Sequence, residues 1–176
     1  MPSGAPMRAL INLCMPTCAL LLLLICEPIA IANATLGGNQ EEAISTFIEK
    51  EEKRLGGEEN KNARSFWVES DTGRDEGRIA VLYTIEGVRG STDWLQYLVV
   101  FVSSGQGILP ENAVRVGGKG IRSIEGIESF RAGVVSLLTR NYNKSDALCC
   151  PSVPGVLKLA HFKGSWQESE VIINCP

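Results

Sequence analysis

The sequence predicts an α+β domain in which one N-terminal amphipathic helix packs on a curved antiparallel sheet of about six to eight strands. Two observations carry this prediction. The stretch Asn39–Leu55 places apolar residues at helical spacing, and most of the chain after Arg64 places them at strand spacing. A small β-barrel or sandwich is the alternative architecture.

The predicted helix has recognisable start and stop signals. Asn39 is expected to cap the first turn, with Glu42 three residues on, as a capping box requires. Ile44 and Ile48 share one face, and Gly56-Gly57 is expected to end the helix. This face would cover one side of the sheet.

Two segments, Arg78–Glu86 and Leu95–Ser103, are apolar on both faces, which is typical of strands in the middle of a covered sheet. The connection Gly87–Asp93 has a length that suits an antiparallel pair. The other predicted strands are Ser65–Glu69, Val114–Gly117, Gly120–Ile124, Gly133–Thr139, Val156–Phe162 and Glu170–Ile173.

The N-terminal segment has the pattern of a secretory signal. Arg8 precedes an apolar stretch that is densest at Leu20–Leu24, and Ala32-Asn33-Ala34 fits the small-x-small cleavage rule. Cleavage after Ala34 is the favoured interpretation; a retained membrane anchor and lipidation at Cys26 are the alternatives. The protein is therefore expected to be exported, to the periplasm or outside the cell, with no membrane span after cleavage.

The expected organisation is a signal peptide over 1–34, a helix and linker over 35–63, and an antiparallel β domain over 64–176. The chain carries 17 basic and 20 acidic residues, for a net charge of −3. Because the sequence has no clustered basic face, we expect no nucleic-acid partner.

Cysteine usage leaves two pairings open. Of six cysteines, only Cys149, Cys150 and Cys175 lie beyond the predicted signal. A disulfide from Cys149 or Cys150 to Cys175 would close a loop of about 25 residues and stabilise the fold by roughly 3 kcal/mol. A vicinal Cys149–Cys150 disulfide is the less favoured alternative, because it strains the backbone. Either pairing leaves one thiol over.

The single histidine, His161, excludes histidine-rich zinc sites. It shares a strand face with Leu157 and Leu159, which indicates a satisfied, partly buried residue. Cys149 or Cys150 could form a thiolate–imidazolium pair with His161 if the fold brings them together. That arrangement would support a thiol-dependent enzyme.

Three carboxylates, Asp71, Asp75 and Glu76, lie around glycines just before the strongest predicted strand. Such oxygen ligands suit calcium, but their spacing does not match the twelve-residue calcium loop. A polar turn is the simpler interpretation, and a divalent-cation site is the alternative.

Four segments together carry a family resemblance: Arg78–Gly87, Trp94–Phe101, Val116–Gly120 and Asp146–Ser152. They resemble a group of uncharacterised exported bacterial proteins with a D-x-x-C-C-P-S motif. Many of those relatives carry an Asp-rich stretch like a single calcium-binding propeller repeat (FG-GAP-like), whose regular acidic spacing is lost in Asp71–Gly77 here. The resemblance implies a bacterial envelope location and no established activity.

These observations predict a non-enzymatic exported domain with a structural or binding role. The thiol-dependent enzyme and the divalent-cation-binding domain are the alternatives.

Overall fold

The computed structural model describes residues 36–69, 77–104, 107–162 and 165–172. It contains one α-helix, α1 (Gly38–Leu55), and ten strands. The strands are β1 (Glu58–Glu59), β2 (Ser65–Val68), β3 (Arg78–Glu86), β4 (Trp94–Ser104), β5 (Gly107–Pro110), β6 (Val114–Gly118), β7 (Arg122–Arg131), β8 (Val134–Asn141), β9 (Val153–Phe162) and β10 (Ser165–Ile172).

The helix begins earlier than its sequence pattern suggested. Gly37, not Asn39, is the N-cap, and the side chain of Gln40 accepts a hydrogen bond from the Gly37 N–H at 3.0 Å. The prediction of an Asn39–Glu42 capping box was therefore wrong. At the other end Gly56 adopts φ 66°, the left-handed conformation that glycine favours at a helix C-terminus.

All strands pair antiparallel, which confirms the predicted type of sheet. The order is β1-β3-β4-β6-β7-β8-β9-β10, with β2 also on β3 and β5 also on β4. The sheet is open, because this path has two different ends. The ten strands of the described residues exceed the six to eight expected, because β1 lies in the predicted linker and β5 in a segment for which no strand was predicted.

The two faces of the β3–β4 pair enter different cores. On one face, Val81, Val99 and Phe101 pack with Ile44 and Ile48 of α1. On the other face, the alternate residues of both strands form a core with side chains from β6 to β9. That second core contains Ala80, Leu82, Leu98, Val100, Val116, Ile124, Phe130, Val135, Leu137, Leu157 and Leu159.

The sheet turns sharply between β6 and β7, which share a single residue pair, Gly118 and Arg122. Gln96 of β4 reinforces this corner: its Nε2 donates to the Ile124 carbonyl at 2.9 Å, and its Oε1 accepts from the Ile124 N–H at 2.6 Å. A Cβ on Gly117 would lie 2.6 Å from Gln96 Oε1. A side chain at this position would therefore displace Gln96 from its hydrogen bonds to Ile124.

Candidate functional site

The Cys149-Cys150 pair lies in the loop between β8 and β9, where both residues are exposed. The two sulfurs are joined in a vicinal disulfide. Cys175 lies outside the described residues, so its predicted bond to Cys149 or Cys150 stays a prediction. The two pairings exclude each other within one molecule, since each sulfur forms one disulfide.

His161 lies near the other end of β9. The strand begins at Val153, so the histidine is about 26 Å along it from the cysteine loop at the usual rise per residue. The structure therefore does not bring His161 to Cys149 or Cys150. A thiolate–imidazolium pair needs contact between them.

His161 belongs instead to a partly buried group of ionisable residues, the His161 cluster, formed with Glu69, Arg78 and Glu111. Glu111 Oε2 lies 3.0 Å from His161 Nδ1 and 3.6 Å from the Arg78 guanidinium, and Arg78 also approaches Glu69 at 3.5 Å. The Glu69 and His161 side chains are only 2% and 8% exposed. Glu69 also accepts a 2.6 Å hydrogen bond from the Gly133 N–H.

The His161 cluster has the features of a structural element. Trp166 packs against the His161 ring with centroids 4.8 Å apart, and its indole N–H donates to the Asn112 carbonyl at 2.8 Å. Arg78 also lies over the Phe130 ring, with its guanidinium carbon 5.3 Å from the centroid. These contacts cover the charges, and we infer that the cluster ties the connection before β6 to β3, β9 and β10.

The predicted cation ligands Asp71, Asp75 and Glu76 lie outside the described residues. Within the ranges that the structure describes, no group of three or more His, Cys, Asp or Glu side chains is placed to hold a metal ion.

The D-x-x-C-C-P-S motif is organised by its first residue. The Asp146 carboxylate accepts hydrogen bonds from the N–H groups of Asn143 and Ser152, both at 2.8 Å, and from the Ser152 hydroxyl at 2.9 Å. The Asn143 N–H and, to a lesser extent, Ser152 hold the pKa of this carboxyl below its usual range, because they stabilise its charged form. Asp146 and Ser152 therefore bracket the cysteine pair.

A groove lies next to this loop, and we call it the Trp94 groove. Its cavity volume is about 630 Å³, within the range of small-molecule sites. Its residues come from the end of α1, the turn before β4, the start of β4, β6 with its following turn, and the cysteine loop. They are Leu55, Val88, Arg89, Ser91, Asp93, Trp94, Leu95, Arg115, Lys119, Gly120 and Leu148.

The groove combines an apolar floor with an excess of positive charge. Lys119 Nζ lies 3.1 Å from Asp93, and this hydrogen bond lowers the pKa of the aspartate. Arg89 and Arg115 have no ion pair among the residues that the structure describes. The groove lining therefore has three cationic side chains and one carboxylate, an excess of two positive charges.

Two backbone features shape the groove. Arg89 adopts φ 54°, ψ 34°, a left-handed conformation that few non-glycine residues adopt, and its N–H donates to the Gly56 carbonyl at 2.7 Å. Gly118 has φ 145°, and a Cβ there would lie 2.8 Å from the Trp94 carbonyl and 3.1 Å from the Arg115 guanidinium. The missing side chain leaves room for Arg115.

No local sequence pattern indicates this site, because its lining is drawn from positions between Leu55 and Leu148. Only Gly87 and Gly118, at the turns beside it, were visible signals of special backbone geometry.

The chain matches no protein-family model, no curated protein and no solved structure. Within the described residues, no helix combines the length and the apolarity that crossing a membrane requires.

Proposed function

We propose that this chain is a non-enzymatic exported binding domain of the bacterial envelope, whose Trp94 groove takes a small amphipathic anion. The proposed ligand has an apolar body and a carboxylate or phosphate head. The export pattern and the family resemblance support the location. The groove supports the ligand class.

The observation that supports this ligand class is the positive charge of the groove beside its apolar residues. Trp94, Leu95 and Leu148 supply apolar surface. Arg89 and Arg115 supply guanidinium groups that form no ion pair among the described residues, although Arg115 acts on Asp93 at longer range. Guanidinium binds carboxylate and phosphate oxygens in a bidentate manner, so these cations favour an anionic head. The partly open shape leaves the ligand accessible to exchange.

Calorimetric titration with decanoate tests the proposal, with decanol and acetate as probes of the apolar and anionic parts alone. We expect saturable binding of decanoate, and binding of the other two weaker by about tenfold or more, since each lacks one half of the recognition. Quenching or shift of Trp94 fluorescence should accompany decanoate binding and be lost in Trp94→Phe.

The double variant Arg89→Gln, Arg115→Gln should lower decanoate affinity by about tenfold or more, because charge-assisted hydrogen bonds contribute roughly 1.5–3 kcal/mol. Arg131→Gln is the matched control, since Arg131 is exposed at the opposite end of β7. Equal binding of decanol and decanoate, or an unaffected double variant, would contradict the proposal.

A further inference from the structure

The vicinal disulfide adjoins the wall of the Trp94 groove. Cys149 and Cys150 are both exposed, and Leu148, the residue before them, is 65% exposed while lining the groove. An external thiol can therefore reach the sulfurs without opening the domain.

The frame of the loop does not depend on this disulfide. Asp146 holds Asn143 and Ser152 through hydrogen bonds that involve neither cysteine. Arg140 adds a 3.5 Å contact from its guanidinium to the Ser152 carbonyl. Both ends of the short Ala147–Pro151 segment would thus stay in place if the disulfide opened.

Tyr142 connects the cysteine loop to Gly120 in the lining of the Trp94 groove. Its hydroxyl donates to the Leu148 carbonyl at 2.5 Å and accepts from the Gly120 N–H at 3.2 Å. Gly120 and Leu148 both line the groove. A movement of Leu148 is therefore transmitted through one hydroxyl group to the turn that carries Lys119.

We propose that Cys149–Cys150 is a thiol–disulfide exchange site for an external dithiol, and that its opening releases Leu148 from the groove wall. One thiolate of the dithiol attacks Sγ of either cysteine, the Cys149–Cys150 bond breaks, and the other Sγ leaves as a thiolate. In the resulting mixed disulfide, the second thiolate of the dithiol attacks the other sulfur of the dithiol. The cysteine bonded to that sulfur then leaves as a thiolate.

The exchange conserves electrons and protons. The dithiol is oxidised to a disulfide, the cysteine pair gains two electrons, and the two protons of the reductant end on the cysteine thiols. Opening removes the covalent link that restricts the Cys149-Cys150 peptide, so Leu148 gains freedom while Asp146 and Ser152 hold the frame. The effect on ligand affinity, unlike the exchange itself, rests on the proposed function of the groove.

The test uses full-length chain recovered after export, in a Cys175→Ser background so that only Cys149 and Cys150 can react among the cysteines beyond the signal. Disulfide mapping of the wild-type chain first establishes the vicinal bond. Dithiothreitol is then added to the native protein, and intact mass after iodoacetamide counts the free thiols. The chemical shift of the Gly120 amide reports the groove without ligand, and decanoate titration reports affinity.

We expect two alkylated cysteines under native conditions, a changed Gly120 amide shift, and decanoate affinity lowered about three- to tenfold, the size expected from losing one apolar contact. The variant Cys149→Ser, Cys150→Ser should have the lowered affinity from the start and not respond to dithiothreitol.

Three results would overturn the inference: a mapped bond from Cys149 or Cys150 to Cys175 in the wild-type chain, reduction only after unfolding in urea, or reduction that leaves the Gly120 amide unchanged. Failure of decanoate to bind in both redox states would instead overturn the proposed groove ligand. The Gly120 shift would then still decide the exchange site.

Discussion

The two ends of the β8–β9 hairpin carry charge in opposite ways. At one end, the partly buried His161 cluster holds Arg78 between the carboxylates of Glu69 and Glu111. At the other end, Arg89 and Arg115 stand in an open groove, unpaired among the described residues, beside the exposed cysteine loop. Charges that contact one another in a partly buried cluster hold a fold together, whereas accessible charges without an ion pair are available to a ligand.

The largest effect should come from breaking the buried end. Glu69→Ala removes one of the two carboxylates beside Arg78 and leaves the Gly133 N–H without its acceptor in a covered site. We expect a loss of about 3 kcal/mol in the free energy of unfolding, measured by urea denaturation, because a covered donor loses its acceptor and the guanidinium keeps only Glu111.

Glu125→Ala is the matched control for that variant. Glu125 pairs with Arg140 at 2.7 Å, but both side chains are nearly half exposed. Its removal should cost about 0.2–1 kcal/mol. Similar losses for the two variants would contradict the structural role assigned to the His161 cluster.

This contrast also separates what the sequence could predict from what it could not. The central strands β3 and β4 begin and end within one residue of their predicted bounds, because apolar residues on both faces mark them clearly. The short strand β1 was missed because Glu58-Glu59 is wholly polar, and β5 was missed because Gly107 and Pro110 bound a very short run.

The candidate site was less accessible to sequence reasoning. His161 was expected on a strand face, and it lies on β9, but its partner Glu111 is fixed by tertiary structure alone. The Trp94 groove unites residues from α1 to the cysteine loop, which no spacing rule connects. Asp146 and Ser152 lie close together in the sequence on either side of the cysteine pair. Only the structure shows that they are joined by hydrogen bonds.

A smaller effect is expected at the corner that joins the two ends. Gly117→Ala would place a Cβ 2.6 Å from Gln96 Oε1 and 3.0 Å from the Arg122 carbonyl. Overpacking of this kind costs typically about 1–3 kcal/mol. Because β6 leads directly to Lys119 and Gly120, we also expect weaker decanoate binding in titrations of this variant.

Gly126→Ala is the control for the corner, since a Cβ there would meet no atom within 4 Å. It should leave both urea denaturation and decanoate affinity close to those of the unmodified chain. If Gly126→Ala lost as much stability as Gly117→Ala, strand propensity rather than close packing would explain the loss.

The smallest effect concerns the exposed end and depends on pH. Asp146 has a folded-state pKa below its unfolded value of 3.8, because the Asn143 and Ser152 groups stabilise the carboxylate. A lowered pKa contributes stability that is complete above the unfolded pKa and is lost as the pH falls through the folded pKa. We therefore expect the Ser152 amide shift to be constant near neutral pH and to move only in acid, as the carboxylate is protonated.

Asp146→Asn should abolish this acid transition in the amide titration while leaving global unfolding nearly unchanged, because the loop is exposed. A Ser152 titration that persisted in Asp146→Asn would assign the transition to another group and leave the bracket around the cysteine pair without its charged anchor.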